Sequence, residues 1–177
     1  MPTVQVDSLR FTFLLTVAAE CYDKWQHYNN VWNTGGRNQK AMDVVAVETP
    51  AAPATTWLIE AKDFRVVTRP PRHSHIAGLA QTVATKTEHT LRGLEDAAVN
   101  ATLASERNHA NIAIAAHKKR VVLHLEPHTG PRTALFPRGF EASVLQKLRQ
   151  LVKATDPNPL VLKTANTAMA GVPWTVV

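Results

Sequence analysis

Two short runs constrain this chain more than anything else in it. Met42 to Glu48 and Thr56 to Ala61 are almost continuously apolar or β-branched, and the link between them, Thr49 to Thr55, carries two prolines. Continuous apolar character without alternation is what strands covered on both faces look like. Proline cannot extend either run, and so short a link cannot make a crossover, so the two strands must be antiparallel neighbours. This predicts a central sheet with helices on each side.

The rest of the chain supplies those layers. From Ser8 to about His27 the residues Leu14, Val17, Cys21 and Trp25 recur at three- and four-residue spacing, which predicts a first helix with Asp7 or Ser8 as its cap. Asn29 to Gln39 reads as a loop or ragged edge strand, and Arg65 to Ser74 as a stiff basic connection around Pro70-Pro71. Ile76, Ala80, Val83, Thr87, Leu91, Leu94, Ala98 and Ala101 keep a helical period and predict a long helix ending near Leu103 to Arg107; Gln81 and Lys86 fall off its stripe. Ile112 to Ala116 is a candidate strand and Val121 to Leu125 a better one, followed by a Pro/Gly loop over Pro127 to Gly139. Phe140 to Val152 then reads as a helix, Leu160 to Leu162 as a short strand, and Trp174 to Val177 as an edge segment. The expectation is one α/β domain over residues 1–177 with a mixed sheet.

A chain of 177 residues can bury roughly 70% of its unfolded surface around one core. Cys21 is the only cysteine. That excludes an internal disulfide and a multi-cysteine zinc site and suits a reducing, cytoplasmic compartment. The apolar run Phe11 to Ala19 is far shorter than the roughly 20 residues a membrane helix needs, so it reads as part of the buried helix and no membrane association is expected. A formal charge of +6 and a pI near 9.8 favour a phosphate-rich partner.

The chemistry-bearing residues are polar ones in strands that otherwise want to be dry: Asp43 at the start of one, Glu60 and Lys62 at the end of the next. In an antiparallel pair those ends are adjacent, and Glu60 and Lys62, two apart, leave the same face. A lone buried carboxylate costs several kcal/mol, so each charge needs a partner or a metal. Two carboxylates beside one ammonium can hold a hard cation such as Mg²⁺ or Mn²⁺, acidify a bound water and offset charge on a phosphodiester. All of this depends on register. Asp43 opposite Glu60 or Lys62 joins them, whereas Asp43 opposite Ala61 faces away; the expectation is the former.

Asp43, sixteen intervening residues, then Glu60-Ala61-Lys62 after Trp57-Leu58-Ile59 resembles the core signature of the PD-(D/E)XK nuclease superfamily. Met42 stands where that signature has its proline. The resemblance covers about Ser8 to Leu125 and implies a restriction-endonuclease-like αβββαβ core. It also implies a Mg²⁺- or Mn²⁺-dependent nuclease acting on nucleic acid, DNA in particular. Asp43, Glu60 and the Ala61 carbonyl would hold the metal, Lys62 would assist the attacking water, and Glu20 on the first helix would be an accessory acid. A polar residue on the following helix, Gln81 or less directly Lys86, would face the site.

Arg69, Arg72, Lys118 and Lys119, with Arg65, His117 and Arg120 around them, could track a phosphate backbone, or be ordinary solvated loop residues. His124 and His128 have metal-like spacing, but a strand running into a Pro loop does not align them on one helical face. Trp25, Trp32 and Trp57 read as core or rim residues. Two other readings stay open: a surface ion pair at Glu60 and Lys62, and a catalytically inactive nucleic-acid-binding or partner-binding protein on the same scaffold. A homodimer is compatible with either.

Overall fold

The computed structural model describes residues 1–48, 54–65, 78–127 and 139–177. Its centre is a five-stranded mixed sheet in the order β3 (Val17–Cys21), β4 (Val44–Glu48), β5 (Thr55–Asp63), β6 (Lys118–Glu126), β7 (Leu160–Leu162). β3, β4 and β5 form an antiparallel meander, and β6 and β7 run parallel to β5. Helices α1 (Leu79–Asn100) and α2 (Ala104–Ala115) connect β5 to β6, and α3 (Phe140–Leu151) precedes β7. Parallel neighbours need such crossovers. A three-stranded antiparallel sheet, β1 (Thr3–Val6), β2 (Leu9–Phe13) and β8 (Trp174–Val176), lies in the order β1-β2-β8, with the short helix α4 (Thr164–Thr167) ahead of β8.

The central strands are dry on both sides, as their composition requires. Val45, Val47, Leu58, Val121, Leu123 and Leu125 join one cluster with Val83, Leu94, Ala110 and Leu148 from the helices. The alternate residues Val44, Ala46, Trp57, Ile59 and Val122 join a second cluster with Leu9, Phe11, Phe13, Trp174 and Val176 of the small sheet. The expected helices on both faces are therefore corrected: helices cover one face and a sheet the other.

The predicted first helix over Ser8–His27 is also wrong. That segment forms β2, β3, a 3₁₀ turn at Tyr22–Lys24 and a π-turn at Tyr28–Trp32. Leu9, Phe11 and Phe13 are fully buried while Arg10 is exposed. That two-residue alternation of aromatic and aliphatic side chains favours a strand. Leu14, counted toward the helical stripe, is 49% exposed at the corner between β2 and β3. Asp7, with φ of 50°, turns the β1–β2 hairpin in the left-handed region that Asp tolerates better than most residues. Ile112 to Ala116 is not a strand either; Ile112 to Ala115 is the last turn of α2. The long helix stops at Asn100, short of the expected end. The other predicted strands and helices on described residues are present. Among the described residues no helix is long and apolar enough to cross a membrane.

Close packing ties the meander to α1 at Gly93. A Cβ there would lie 2.2 Å from the Tyr22 hydroxyl and 2.9 Å from Trp32 Nε1. Tyr22 is fully buried and cannot step aside. Gly93→Ala should therefore lower unfolding stability by about 1–3 kcal/mol, as overpacking does, even though alanine is the better helix former. Denaturant unfolding of the two proteins checks this.

Candidate metal and nuclease site

Several backbone contacts fix Asp43 before β4 begins. The Met42 N–H donates to Thr90 Oγ1 at 2.9 Å and the Lys40 N–H to His89 Nδ1 at 3.0 Å, both on α1. The Tyr22 N–H donates to the Asp43 carbonyl at 3.1 Å. The strands pair Val44 with Ile59 and Val45 with Leu58, and continuing that register sets Asp43 opposite Glu60. Cross-strand partners share a face, so this is a register that puts Asp43 with Glu60 and Lys62 rather than with the far side. Asp43 Oδ2 accepts the Ala61 N–H at 2.8 Å.

The charged side chains converge on the helix-covered face. Lys62 Nζ lies 2.7 Å from Glu60 Oε1. Lys86 Nζ, from α1, lies 2.6 Å from Glu60 Oε2 and 3.3 Å from Asp43 Oδ1. The Glu60 side chain is fully buried, while those of Asp43, Lys86 and Lys62 are 12, 17 and 33% exposed. The surface-pair reading of Glu60 and Lys62 fails on this burial. Burial, then the Asp43 charge, push the Glu60 pKa up against the pull of both lysines. Burial alone would lower the Lys62 pKa, but Glu60 and Asp43 together outweigh it and leave it raised.

The site opens into a cavity of ≈ 270 Å³ lined by Asp7, Cys21, Asp23, Lys24, Asp43 and Lys62 among others. The Asp23 pKa is raised by burial and then by the charge of Asp43. Among the described residues no three His, Cys, Asp or Glu side chains are grouped to hold a metal. A cation at this place would take side-chain oxygens from Asp43 and Glu60 alone. Both side-chain donors are carboxylates, the oxygen ligands that hard cations take, and one positive group, Lys86, touches oxygens of both.

The other candidates fall elsewhere. Glu20 pairs across from Val45 on β3, so it shares the helix-covered face. However, it sits 3.6 Å from His109 Nδ1 and does not line the cavity that Asp43 and Lys62 share. Asp23, on the turn after β3, lines that cavity together with Asp7 and Asp43; the sequence reading missed it because it placed the whole segment in a helix. Gln81 is exposed, and Lys86 is the α1 residue that reaches the carboxylates. Its position three residues after buried Val83 and four before buried Thr90 was the available signal.

Lys118 and Lys119 pair with Thr55 and Thr56, at the opposite end of β5 from Glu60. Five and four residues of strand, respectively, separate them from the level of Glu60, roughly 13–17 Å. Lys119 Nζ donates to the Ile114 carbonyl at 3.1 Å and to the Ala116 carbonyl, closing the end of α2. Arg120 pairs with Asp156 at 3.2 Å. Arg69, Arg72 and His128 lie outside the described residues. His124 is fully buried on β6 with Nε2 3.1 Å from Glu126 Oε1, and burial lowers its pKa. Trp25 and Trp57 are core residues, and Trp32 packs against the core.

No protein-family model matches the chain, and no solved structure matches it. It is 26% identical over 173 residues to a cysteine–tRNA ligase of Neisseria meningitidis serogroup A / serotype 4A. That similarity covers 83% of this chain and 24% of the relative, so the chain spans about a quarter of the length of the protein it matches.

Proposed function

We propose that this chain is a Mg²⁺- or Mn²⁺-dependent nuclease on a restriction-endonuclease-like scaffold, hydrolysing phosphodiester bonds of nucleic acid, with DNA as the substrate class. The observation that carries the reading is the sharing of one cationic group by Asp43 and Glu60, with Lys62 bound to the same Glu60. The element order supports it as well: three successive strands, a helical crossover and a fourth strand follow the αβββαβ order that the resemblance implies, apart from the leading helix.

In this reading Asp43, Glu60 and the Ala61 carbonyl hold the metal. Once bound, the ion supplies an acidified water and offsets charge growing on the phosphorus. The chain's own groups do the rest. The Ala61 N–H pins one Asp43 oxygen and leaves the other to face the cation. Lys62 holds one Glu60 oxygen and, 33% exposed, offers its remaining donors to a water or a phosphate oxygen at the cavity. As an ammonium paired with a carboxylate it acts as a hydrogen-bond donor and positive charge, not as a base.

A second reading is favoured by one observation. Lys86 already neutralises both carboxylates, which suits a catalytically inactive nucleic-acid-binding or partner-binding protein on the same scaffold. The test is cleavage of linear DNA, supercoiled DNA and tRNA in Mg²⁺ or Mn²⁺. The tRNA is included because the relative is a tRNA ligase. The nuclease reading expects products with metal, none in chelator, and none from Asp43→Asn. Products from Asp43→Asn at the wild-type rate contradict it, and no products from folded wild-type protein leave the binding-protein reading standing.

A further inference from the structure

Lys86 does not belong to the metal-binding or water-orienting set, yet its Nζ touches both carboxylates, at 2.6 Å from Glu60 and 3.3 Å from Asp43. We infer that Lys86 is a resident counter-ion that a divalent cation must displace, so that this lysine sets how tightly the site takes up metal. The inference rests on the nuclease reading and goes beyond it by assigning regulation of metal occupancy to a residue on α1.

Three observations lead there. First, Lys86 Nζ touches both carboxylates, at 2.6 and 3.3 Å, whereas Lys62 Nζ is paired with Glu60 alone. An ion bound by oxygens of both side chains would claim the place that the Lys86 ammonium holds. Second, the charges balance without metal: Asp43 and Glu60 against Lys62 and Lys86. A divalent ion added with both lysines in place would leave these four side chains with a double positive excess around a fully buried carboxylate, which is costly and which Asp7 and Asp23 on the cavity offset only in part because Lys24 lies beside them. Withdrawal of Lys86 halves that excess. Third, Lys86 can leave. Its side chain is 17% exposed, it ends a flexible four-carbon stem, and its helix position is at the margin of the buried stripe rather than inside it. Glu60 has no such freedom.

Two consequences separate this role from a merely structural one. Removing the ammonium should strengthen metal binding, because a like charge within a few ångströms of the ion is lost. It should also make the fold lean on metal, because Asp43 and Glu60 lose the one positive charge they share, Lys62 being paired with Glu60 alone, and the ion restores it.

The experiment measures Mn²⁺ binding by calorimetry, and the midpoint of thermal unfolding with and without Mn²⁺, for wild type, Lys86→Met and Lys86→Gln. The glutamine variant keeps a donor for Glu60, so the comparison survives if the methionine variant folds poorly. The expected result is a Mn²⁺ dissociation constant at least about tenfold lower in the variants, with a larger Mn²⁺-induced rise in midpoint than in wild type. Mn²⁺ uptake by wild type that is unchanged or weaker in the variants overturns the counter-ion role and leaves the nuclease reading intact. No uptake by wild type or either variant overturns both.

Discussion

Under the proposed nuclease function, cleavage of DNA in Mg²⁺ should fall by at least about 10³-fold in Glu60→Gln and in Lys62→Met, since each would remove a group assigned to the chemical step. The two variants differ in what else they disturb. Glu60 is fully buried between two ammoniums, and breaking a buried pair from one side costs about 3–5 kcal/mol because the other charges are left uncompensated. Glutamine limits the loss by keeping the volume and an oxygen that can accept from one lysine. Lys62→Met is milder, because Lys86 still pairs with Glu60 and the stem of residue 62 still covers the strand. Single-turnover cleavage should be measured beside denaturant unfolding for both. Loss of activity in Lys62→Met with stability near wild type is the expected pattern. Full activity in either variant would return Glu60 and Lys62 to a purely structural role.

A second large effect is expected from pH, through His109. This residue is 5% exposed on α2, with its ring edge-on to Trp25 at 5.6 Å. Burial holds its pKa down to about 4, against 6.5 for an ordinary histidine. The neutral ring is therefore the folded form at neutral pH, and its 3.6 Å contact with Glu20 is not an ion pair there. Below pH 6.5 the unfolded chain takes up a proton that the folded chain refuses. The stabilisation is thus fully present above 6.5 and is lost progressively as pH falls to about 4, amounting to about 3 kcal/mol. Glu20 works in the opposite sense, since burial raises its pKa and its protonation favours the folded state on acidification. Glu106, on the same helix, accepts the Gln26 and His27 N–H groups at 2.6 and 3.0 Å. The variant His109→Gln isolates the histidine contribution. Its unfolding free energy should fall less than that of wild type between pH 6.5 and 4, by about 2–3 kcal/mol; parallel curves would contradict the assignment.

What could be read from the sequence follows from how strongly each segment is determined locally. β4 and β5 are legible because continuous apolar β-branched runs have few other fates, and their proline-bearing link allows only an antiparallel pair. That pairing in turn brought Asp43 to Glu60. α1 is legible because its stripe persists over many turns. Ser8 to His27 is not: Leu14, Val17, Cys21 and Trp25 happen to fall at helical spacing, while Leu9, Phe11 and Phe13 alternate. Tertiary burial under Trp174 and Val176, far along the chain, decides in favour of the alternation. The same distant partner explains why a small sheet, not a helix, covers the second face. Asp23 escaped notice, and Lys86 stood behind Gln81, for a related reason. Their importance lies in what faces them from β4 and β5, and position within their own elements marks them only weakly. Lys119 carries the reverse lesson, because a basic residue that looks available for phosphate is already bound to the carbonyls at the end of α2.

Diffraction from crystals soaked in Mn²⁺, recorded near the manganese absorption edge, tests most directly whether Asp43 and Glu60 form one metal site. The account predicts a single anomalous peak within about 2.2 Å of an oxygen from each carboxylate, with the Lys86 ammonium withdrawn from both. An empty map in which Lys86 still bridges Asp43 and Glu60 would contradict it.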